Sequence, residues 1–209
     1  MYDALMRFPL LGWALFVTTT QLVVFRHYLS GFPIDFAHVA MRLSTAAFMF
    51  LMAAVVILRS QPSKQARGLE PRISALVGTF TSYGFVAFPG HGLTLPLELF
   101  STVLTLIGTL GAIVVLKQLG RSFSIMAETR RLVTSGPYRF VRHPLYLMEE
   151  IAIVGVFMQF ASVWTALMLA VQLAFQLRRM HNEEAVLTAS FPEYTVYSQT
   201  TARLIPGIY

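Results

Sequence analysis

The sequence is dominated by long apolar runs separated by short polar segments, and this pattern constrains the fold more than any other feature. A helix needs about 20 mostly apolar residues to cross the hydrocarbon core of a bilayer. Four runs reach or approach that length, at residues 9–25, 36–58, 73–88 and 97–116. A fifth apolar stretch, 145–177, is too long for one ordinary span. The chain is therefore predicted to be an all-α, polytopic integral membrane protein.

The number of spans depends on the fifth stretch. Residues 159–162 interrupt it with small and polar side chains, so we interpret it as a tight helical hairpin. This gives about six transmembrane helices. Five is the alternative, if the third run re-enters the membrane or the fifth stretch is one bent helix. Arg7 precedes an apolar run, as in a signal peptide, but the run lacks a small-x-small cleavage site, so we interpret residues 9–25 as the first membrane helix.

Charged residues make up 12% of the chain, about half the share of an ordinary soluble domain. The net charge of +6 comes from basic residues in the polar segments, which favours contact with lipid headgroups over nucleic acid. Most of them fall between spans two and three, between spans four and five, and after span six: Arg59, Lys64, Arg67, Arg72, Lys117, Arg121, Arg130, Arg131, Arg139, Arg142, Arg178, Arg179 and Arg203. Only Arg26 departs from this pattern. The positive-inside rule then predicts a multi-pass protein with both termini in the cytoplasm.

Two polar stretches between spans four and five carry chemically suggestive residues. The first, 120–124, begins with a glycine that suits the end of a helix. In the second, 132–147, Gly136 and Pro137 mark a turn, and Pro144 suits the first turn of span five. His143 would lie near the N-cap, where the helix terminus favours an anion. The pattern fits an anion site and a plain cytoplasmic anchor equally well.

Two groups of carboxylates leave alternatives open. Residues 178–184 continue span six into the cytoplasm, and Arg179 and Glu183 lie four apart on one helix face. The paired carboxylates Glu183 and Glu184 could bind a cation or a pair of ribose hydroxyls, or the segment is a solvated helix face with an exposed ion pair. Glu149 and Glu150 lie in the first turns of span five, and are either functional or at headgroup level. The chain has no cysteine, so disulfides, thiolate nucleophiles and zinc–thiolate sites are excluded, and we expect no metal site.

Taken together, these stretches resemble the isoprenylcysteine carboxyl methyltransferase family, within the wider group of membrane methyltransferases that includes phospholipid methyltransferases. The resemblance covers roughly the C-terminal half of the chain. It rests on the following elements in order: Gly120-Arg121-Ser122-Phe123-Ser124, Gly136-Pro137-Tyr138-Arg139, Arg142-His143-Pro144-x-Tyr146, Glu183-Glu184, Glu193-Tyr194-x-x-Tyr197 and Arg203-Leu204-Ile205-Pro206. Many members have Gly two residues after the motif tyrosine, whereas this chain has Met148.

The resemblance implies an enzyme that binds S-adenosyl-L-methionine in a cytoplasmic pocket covered by the C-terminal segment, and a lipophilic substrate that enters from the bilayer. The implied cofactor-binding residues are Tyr138, His143, Pro144, Tyr146, Leu147, His181, Glu183, Glu184 and Arg203. Arg139 and Arg142 are implied to orient an anionic acceptor. Glu149 is the candidate base, alongside His143, if the acceptor is an amine or hydroxyl. The acceptor is expected to be an isoprenylcysteine-like carboxylate or another lipid.

The expected organisation is one integral membrane domain, 1–209, with spans one to three in 1–95 and a methyltransferase-like catalytic half in 96–209. Two other functions stay open. One is an NADPH-dependent membrane lipid or sterol-type reductase on a related scaffold, because a carboxylate just past the motif tyrosine, here Glu149, is also found in such enzymes. Those reductases usually have Asn where this chain has Leu145. The other is a non-enzymatic membrane protein. The sequence does not indicate an oligomeric state.

Overall fold

The computed structural model describes residues 2–30, 36–58, 64–90, 92–129, 131–207 and 209. Within these residues it has seven α-helices: α1 Tyr2–Ser30, α2 Phe36–Leu58, α3 Glu70–Phe80, α4 Leu95–Leu119, α5 Pro144–Gln159, α6 Val163–Ser190 and α7 Tyr194–Thr200. Short 3-10 helices occupy Thr81–Ala87, Gly120–Ser122 and Gly136–Arg139. The two-residue strands β1 Lys64–Gln65 and β2 Glu128–Thr129 pair antiparallel. The all-α prediction is confirmed, while Arg59 and Arg130 of the charge pattern lie outside the described residues.

Two of the described helices are long and apolar enough to cross a membrane, over His38–Leu58 and Leu95–Ser122. These are the second and fourth predicted spans. Helix α5 has 16 residues and rises only about 24 Å, less than the roughly 30 Å of a hydrocarbon core. The third predicted span begins as α3 and continues as a 3-10 helix from Thr81. Six crossings therefore stay a prediction, although the first residue of each predicted apolar run lies within or at the start of a helix.

The predicted interruption of the fifth apolar stretch is confirmed, and one bent helix is the wrong interpretation of it. Helix α5 ends at Gln159 and α6 begins at Val163. Ser162 caps α6, because its hydroxyl accepts a hydrogen bond from the Thr165 amide at 3.1 Å and its own amide donates to the Thr165 hydroxyl at 2.8 Å. The two helices diverge after this turn, since α5 packs mainly against α4 and α6 mainly against α3.

The surface of the bundle is rich in large apolar side chains, while several polar groups lie inside. Exposed apolar residues occur along the helices, among them Phe8, Phe16, Phe50, Leu95, Val163 and Trp164. Ser101, Thr105, Gln172 and Gln176 are buried. An exposed apolar surface of this extent is unfavourable in water and suits a lipid environment.

Small residues allow α4 and α5 to pack closely, as they do between membrane helices. A Cβ atom on Gly108 would come within 2.4 Å of the Ala152 backbone nitrogen, and one on Gly155 within 2.5 Å of the Thr105 hydroxyl. The Ser101 hydroxyl donates to the Gly155 carbonyl at 2.8 Å. This contact fixes α5, and with it the N-terminus where His143 and Pro144 lie, against α4.

Replacing Gly108 with valine is expected to destabilise the protein by roughly 1–3 kcal/mol or more, because the new side chain would collide with the α5 backbone. Gly12→Val in α1 is the matched control, since nothing lies within 4 Å of a Cβ atom at Gly12. The measurement is the midpoint of thermal unfolding in detergent. Equal midpoints for the two variants would show that the α4–α5 contact is not as close as described.

Candidate functional site

Three basic side chains converge on one carboxylate, that of Glu184 in α6. His143 Nε2 lies 3.0 Å from Glu184 Oε1. Arg203 donates to both oxygens, from Nε at 3.1 Å and from a terminal nitrogen at 2.7 Å, and Arg142 lies 3.4 Å from Oε1. His143 is the N-cap residue of α5, as predicted, but its ring points to Glu184 and does not cap the helix. Part of the predicted anion site is therefore occupied by the chain's own carboxylate.

This arrangement keeps Glu184 ionised. Burial alone would raise its pKa, but the hydrogen bonds from His143 and Arg203 and the charge of Arg142 outweigh burial and lower the pKa to about 2, from an ordinary 4.5. The same carboxylate raises the pKa of Arg203. Glu184 thus links the end of α6 electrostatically to the start of α5 and to the C-terminal tail.

Because the folded state lowers the pKa of Glu184, its contribution to stability is fully present above about pH 4.5 and is lost as the pH falls towards 2. We expect the unfolding midpoint of the wild-type protein to fall in this window more steeply than that of Glu184→Gln. The difference between the two proteins should narrow as the pH decreases from 6 to about 3. Glu193→Gln, at an exposed position, should follow the wild type. A gap between wild type and Glu184→Gln that stays constant with pH would contradict the ion-pair assignment.

The neighbouring carboxylate, Glu183, belongs to a second cluster. The Tyr146 hydroxyl donates to Glu183 Oε1, and Arg179 Nε lies 3.3 Å from the same oxygen. The guanidinium of Arg179 lies over the Tyr146 ring, 4.6 Å from its centroid, and the Tyr146 ring stacks on His143 at 5.4 Å. Arg179 is only 3% exposed, so the solvated ion pair is the wrong alternative for Arg179 and Glu183.

The C-terminal tail is bound to the start of α5 by backbone hydrogen bonds. The Arg142 amide donates to the Ala202 carbonyl at 2.8 Å, and the His143 amide donates to the Arg203 carbonyl at 3.1 Å. Helix α7 adds a further contact, since the Tyr197 hydroxyl donates to the Tyr138 carbonyl at 2.5 Å. Burial raises the pKa of Tyr197 to about 12, so this hydroxyl stays protonated and able to donate.

A cavity of about 100 Å³ lies beside these clusters. Its wall combines the segment that follows α4, the start of α5, the end of α6 and helix α7. The lining residues with polar or aromatic groups include Phe123, Ser124, Glu128, Arg131, Tyr138, Arg142, His143, Tyr146, Glu183, Tyr194 and Tyr197. All three polar regions identified in the sequence therefore meet at one cavity.

Two glycines in the predicted motifs shape this wall. Gly120 ends α4 with a φ of 50°, as the predicted C-cap requires, and its neighbour Arg121 donates to the Leu58 carbonyl at 2.9 Å. Gly136 has a φ of 60° and opens the predicted turn as a 3-10 helix. A side chain at Gly136 would be strained and would come within 3.2 Å of Gln118.

The structure brings most of the predicted site residues together, but not all of them. Tyr138, Arg142, His143, Tyr146 and Glu183 line the cavity. Glu184 forms ion pairs with the lining residues Arg142 and His143, and Arg203 donates a hydrogen bond to Glu184. Pro144 is buried at the start of α5, and Leu147 donates its amide to the His143 carbonyl at 3.1 Å.

Three other predicted residues lie away from this cavity. Arg139 is exposed, with its guanidinium over the ring of Phe140, and His181 is exposed on α6. Glu149 faces a different cavity inside the bundle, and Gln176 Nε2 lies 3.5 Å from its carboxylate. The Gln172 amide donates to Glu150 at 2.7 Å. The roles predicted for Arg139, His181 and Glu149 therefore find no support in contacts with the cavity wall, and they stay predictions.

The burial of Arg179 and the lining roles of Met126, Glu128, Arg131 and Tyr194 were not predicted from the sequence. In the sequence, the four-residue spacing of Arg179 and Glu183 indicates that the two side chains lie on one helix face. This spacing does not indicate that Arg179 is buried. Tyr194 is 2% exposed, and burial raises its pKa above the ordinary value. Among the described residues, no group of three or more His, Asp or Glu side chains is arranged to hold a metal ion.

Comparison with known proteins supports the predicted family. Residues 101–189 match the model of the isoprenylcysteine carboxyl methyltransferase (ICMT) family, which confirms the resemblance over that segment. The chain is also similar to the nickel-cobalt-cadmium resistance protein NccN of Alcaligenes xylosoxydans xylosoxydans, with 32% identity over 113 residues, which cover 52% of each chain. The cobalt-zinc-cadmium resistance protein CzcN of Cupriavidus metallidurans matches at 32% identity over 113 residues, 52% of this chain and 51% of that protein. The match thus spans about half the length of these curated relatives.

Proposed function

Taking residues 101–189 as a segment of the isoprenylcysteine carboxyl methyltransferase family, we propose that this chain is an integral membrane methyltransferase that uses S-adenosyl-L-methionine on a lipophilic acceptor. The family implies a membrane methyltransferase. The identity of the cofactor and the class of the acceptor are our proposal. The observation that carries the proposal is the cavity beside Glu184, where the predicted motif residues His143, Tyr146 and Glu183 meet in one wall.

The residues around the cavity match the chemistry of this cofactor, which carries a carboxylate, an ammonium group, a sulfonium, a ribose and an adenine ring. Arg131, Arg142 and His143 offer contacts to an anion, and Glu128 and Glu183 offer contacts to a cation or to hydroxyl groups. Aromatic rings for stacking come from Phe123, Tyr138, Tyr146, Tyr194 and Tyr197. The chemical types of the lining side chains therefore match the groups that this cofactor carries.

The volume of the cavity is smaller than this cofactor requires. About 100 Å³ is well below the roughly 300–1,000 Å³ of typical pockets for ligands of this class. We propose that part of the wall moves outward on binding. Helix α7 and the tail to Arg203 are the mobile candidates, because they are joined to the rest of the site by few backbone hydrogen bonds and by the Glu184 ion pairs.

A carboxylate acceptor suits the residues of this site best. When bound, the cofactor supplies a methyl group on a sulfonium; transfer breaks a carbon–sulfur bond, forms a carbon–oxygen bond and releases no proton. No general base is then needed. Among the described lining residues, His143 is paired with Glu184, and Glu183 is paired with Tyr146 and Arg179. The loss of two opposite charges is favoured where water is excluded. We propose that Arg142, which lines the cavity, orients an anionic acceptor.

We further propose that all six helical segments from α1 to α6 belong to the membrane domain and that both termini face the cytoplasm. The short helices α3 and α5 would be accommodated by local thinning of the bilayer or by their packing inside the bundle. The polar cavity then lies at the cytoplasmic surface, and a lipophilic acceptor reaches it from the bilayer.

The test is a binding and transfer experiment with the purified protein in detergent. We expect S-adenosylhomocysteine to bind with a measurable heat in calorimetry and NADPH to give none. We also expect tritiated methyl groups from S-adenosyl-L-methionine to enter a prenylated cysteine analogue with a free carboxylate, and not its amide. Binding of NADPH in place of S-adenosylhomocysteine would instead assign the reductase function.

A further inference from the structure

A second cavity, of about 240 Å³, lies inside the helical bundle between α1, α2, α4, α5 and the 3-10 helix that follows α3. It shares no lining residue with the cavity beside Glu184. Much of its wall is apolar, with contributions from Phe48, Met49, Met52, Phe85 and Val156. Its wall is formed partly by α1 and α2, which lie outside the matched family segment, and partly by α4 and α5, which lie within it.

One basic side chain lines this cavity, that of Arg42 in α2. A terminal nitrogen of Arg42 donates to Gln21 Oε1 at 3.1 Å. Its Nε atom is buried and has no hydrogen-bond partner. In the part of the chain that the structure describes, no carboxylate pairs with Arg42. A guanidinium inside a membrane helix with a neutral amide as its partner is costly, and it marks a site for an anion.

The charged groups that line the cavity are Arg42 on α2 and Glu149 on α5, and hydroxyl and amide side chains line parts of the remaining wall. Gln159 also lines the cavity, and its Nε2 lies 4.0 Å from the sulfur of Met41, the residue before Arg42. Glu149 lies ten residues before Gln159 on α5, which corresponds to about 15 Å along the helix. A carboxyl group offers no attraction to an anion, so only the surroundings of Arg42 suit one. The cavity is thus mostly apolar, with a basic group at Arg42 and an acidic group at Glu149.

We propose that this cavity binds an amphiphile with an anionic end group, a carboxylate or a phosphate, which accepts hydrogen bonds from Arg42. One hydrocarbon chain lies along the apolar wall towards Glu149. The volume suits one chain and not two. The ligand is either a free single-chain acid or a phospholipid that inserts one of its chains, because the two share this chemistry.

Photo-crosslinking of the full chain in detergent micelles tests this proposal. The probes are a long-chain fatty acid with a diazirine on its chain, the corresponding fatty alcohol, and a phosphatidylglycerol with the same diazirine on one chain. Mass spectrometry locates the labelled peptides. We expect the acid or the phosphatidylglycerol to label residues 41–52 of α2, and the alcohol to label them roughly tenfold less, as the loss of a charge-assisted hydrogen bond predicts. The probe that labels more strongly identifies the source of the ligand.

Variants separate binding from folding. Arg42→Gln should reduce the labelling by the anionic probe roughly tenfold or more, whereas Arg42→Lys should retain most of it. Arg26→Gln is the matched control, because Arg26 is exposed on α1. Thr45→Phe should block the cavity while Arg42 stays in place. Equal labelling by acid and alcohol, or labelling that persists in both Arg42→Gln and Thr45→Phe, would overturn the proposal. Methyl transfer is not the readout, so the result does not depend on the function proposed above.

Discussion

Replacing Glu184 with alanine is expected to weaken the binding of S-adenosylhomocysteine by roughly 30-fold or more. Glu184 neutralises His143, Arg142 and Arg203, and its removal leaves three basic groups close together with no carboxylate between them. Truncating one member of a buried charge pair costs about 2–5 kcal/mol, and every 1.4 kcal/mol is about tenfold in affinity. Repulsion would displace Arg142 and His143, which line the cavity.

Calorimetry on detergent-purified protein measures this effect, and two further variants show how it arises. Glu193→Ala removes an exposed carboxylate from the same tail region and should bind within about twofold of the wild type. Glu184→Gln keeps two hydrogen-bonding atoms without the charge and should fall between the wild type and Glu184→Ala. Wild-type affinity in a folded Glu184→Ala protein, as judged by a single symmetric peak in size-exclusion chromatography, would refute the proposed pocket.

Arg142 and Arg139 are expected to differ sharply when each is replaced by alanine, although both lie in the same motif. Arg142 lines the cavity, lies 3.4 Å from Glu184 and is anchored through its amide to Ala202. Arg139 is exposed and lies over the ring of Phe140. We expect Arg142→Ala to lower kcat/KM for the methyl acceptor roughly 10- to 1,000-fold, in line with the loss of a charged hydrogen-bonding group.

Arg139→Ala should change kcat/KM by less than about threefold, because exposed charges contribute little. Steady-state kinetics at saturating S-adenosyl-L-methionine separates the two arginines. A larger effect at Arg139 than at Arg142 would mean that the acceptor approaches from the outer surface of the Gly136–Arg139 turn and not through the cavity. Arg142→Lys offers a further control, since it retains the charge but loses the planar guanidinium.

The turn between α5 and α6 shows which parts of the fold can be predicted from the sequence and which cannot. Apolar runs predicted the helices because burial in lipid or in a bundle requires continuous hydrophobicity. The break at residues 159–162 was predicted from polar side chains, and Ser162 does cap α6 there. The direction of the helices afterwards was not predictable, since it depends on small residues in α4 and on Gln172 and Gln176 in α6, whose partners are remote in sequence.

Glu183 and Glu184 illustrate the same limit within the site. Their neighbours along the helix suggest a solvated pair, and spacing alone cannot distinguish this from a buried one. Their partners in the structure are His143, Tyr146 and Arg203, up to 41 residues away along the chain. Within the sequence, only the resemblance to a known family links these positions.

The sequence by itself determined the helical class, the membrane-type composition and the motif that matches a methyltransferase family, because these depend on local patterns of polarity and on residue identity. The tertiary structure decided which carboxylates and arginines meet. In the folded chain, Glu184 contacts His143 and Arg203, Glu149 lines a separate cavity, and Arg139 is exposed. Contacts of this kind follow from how helices pack against each other, and a small shift in packing changes which polar groups share a cavity.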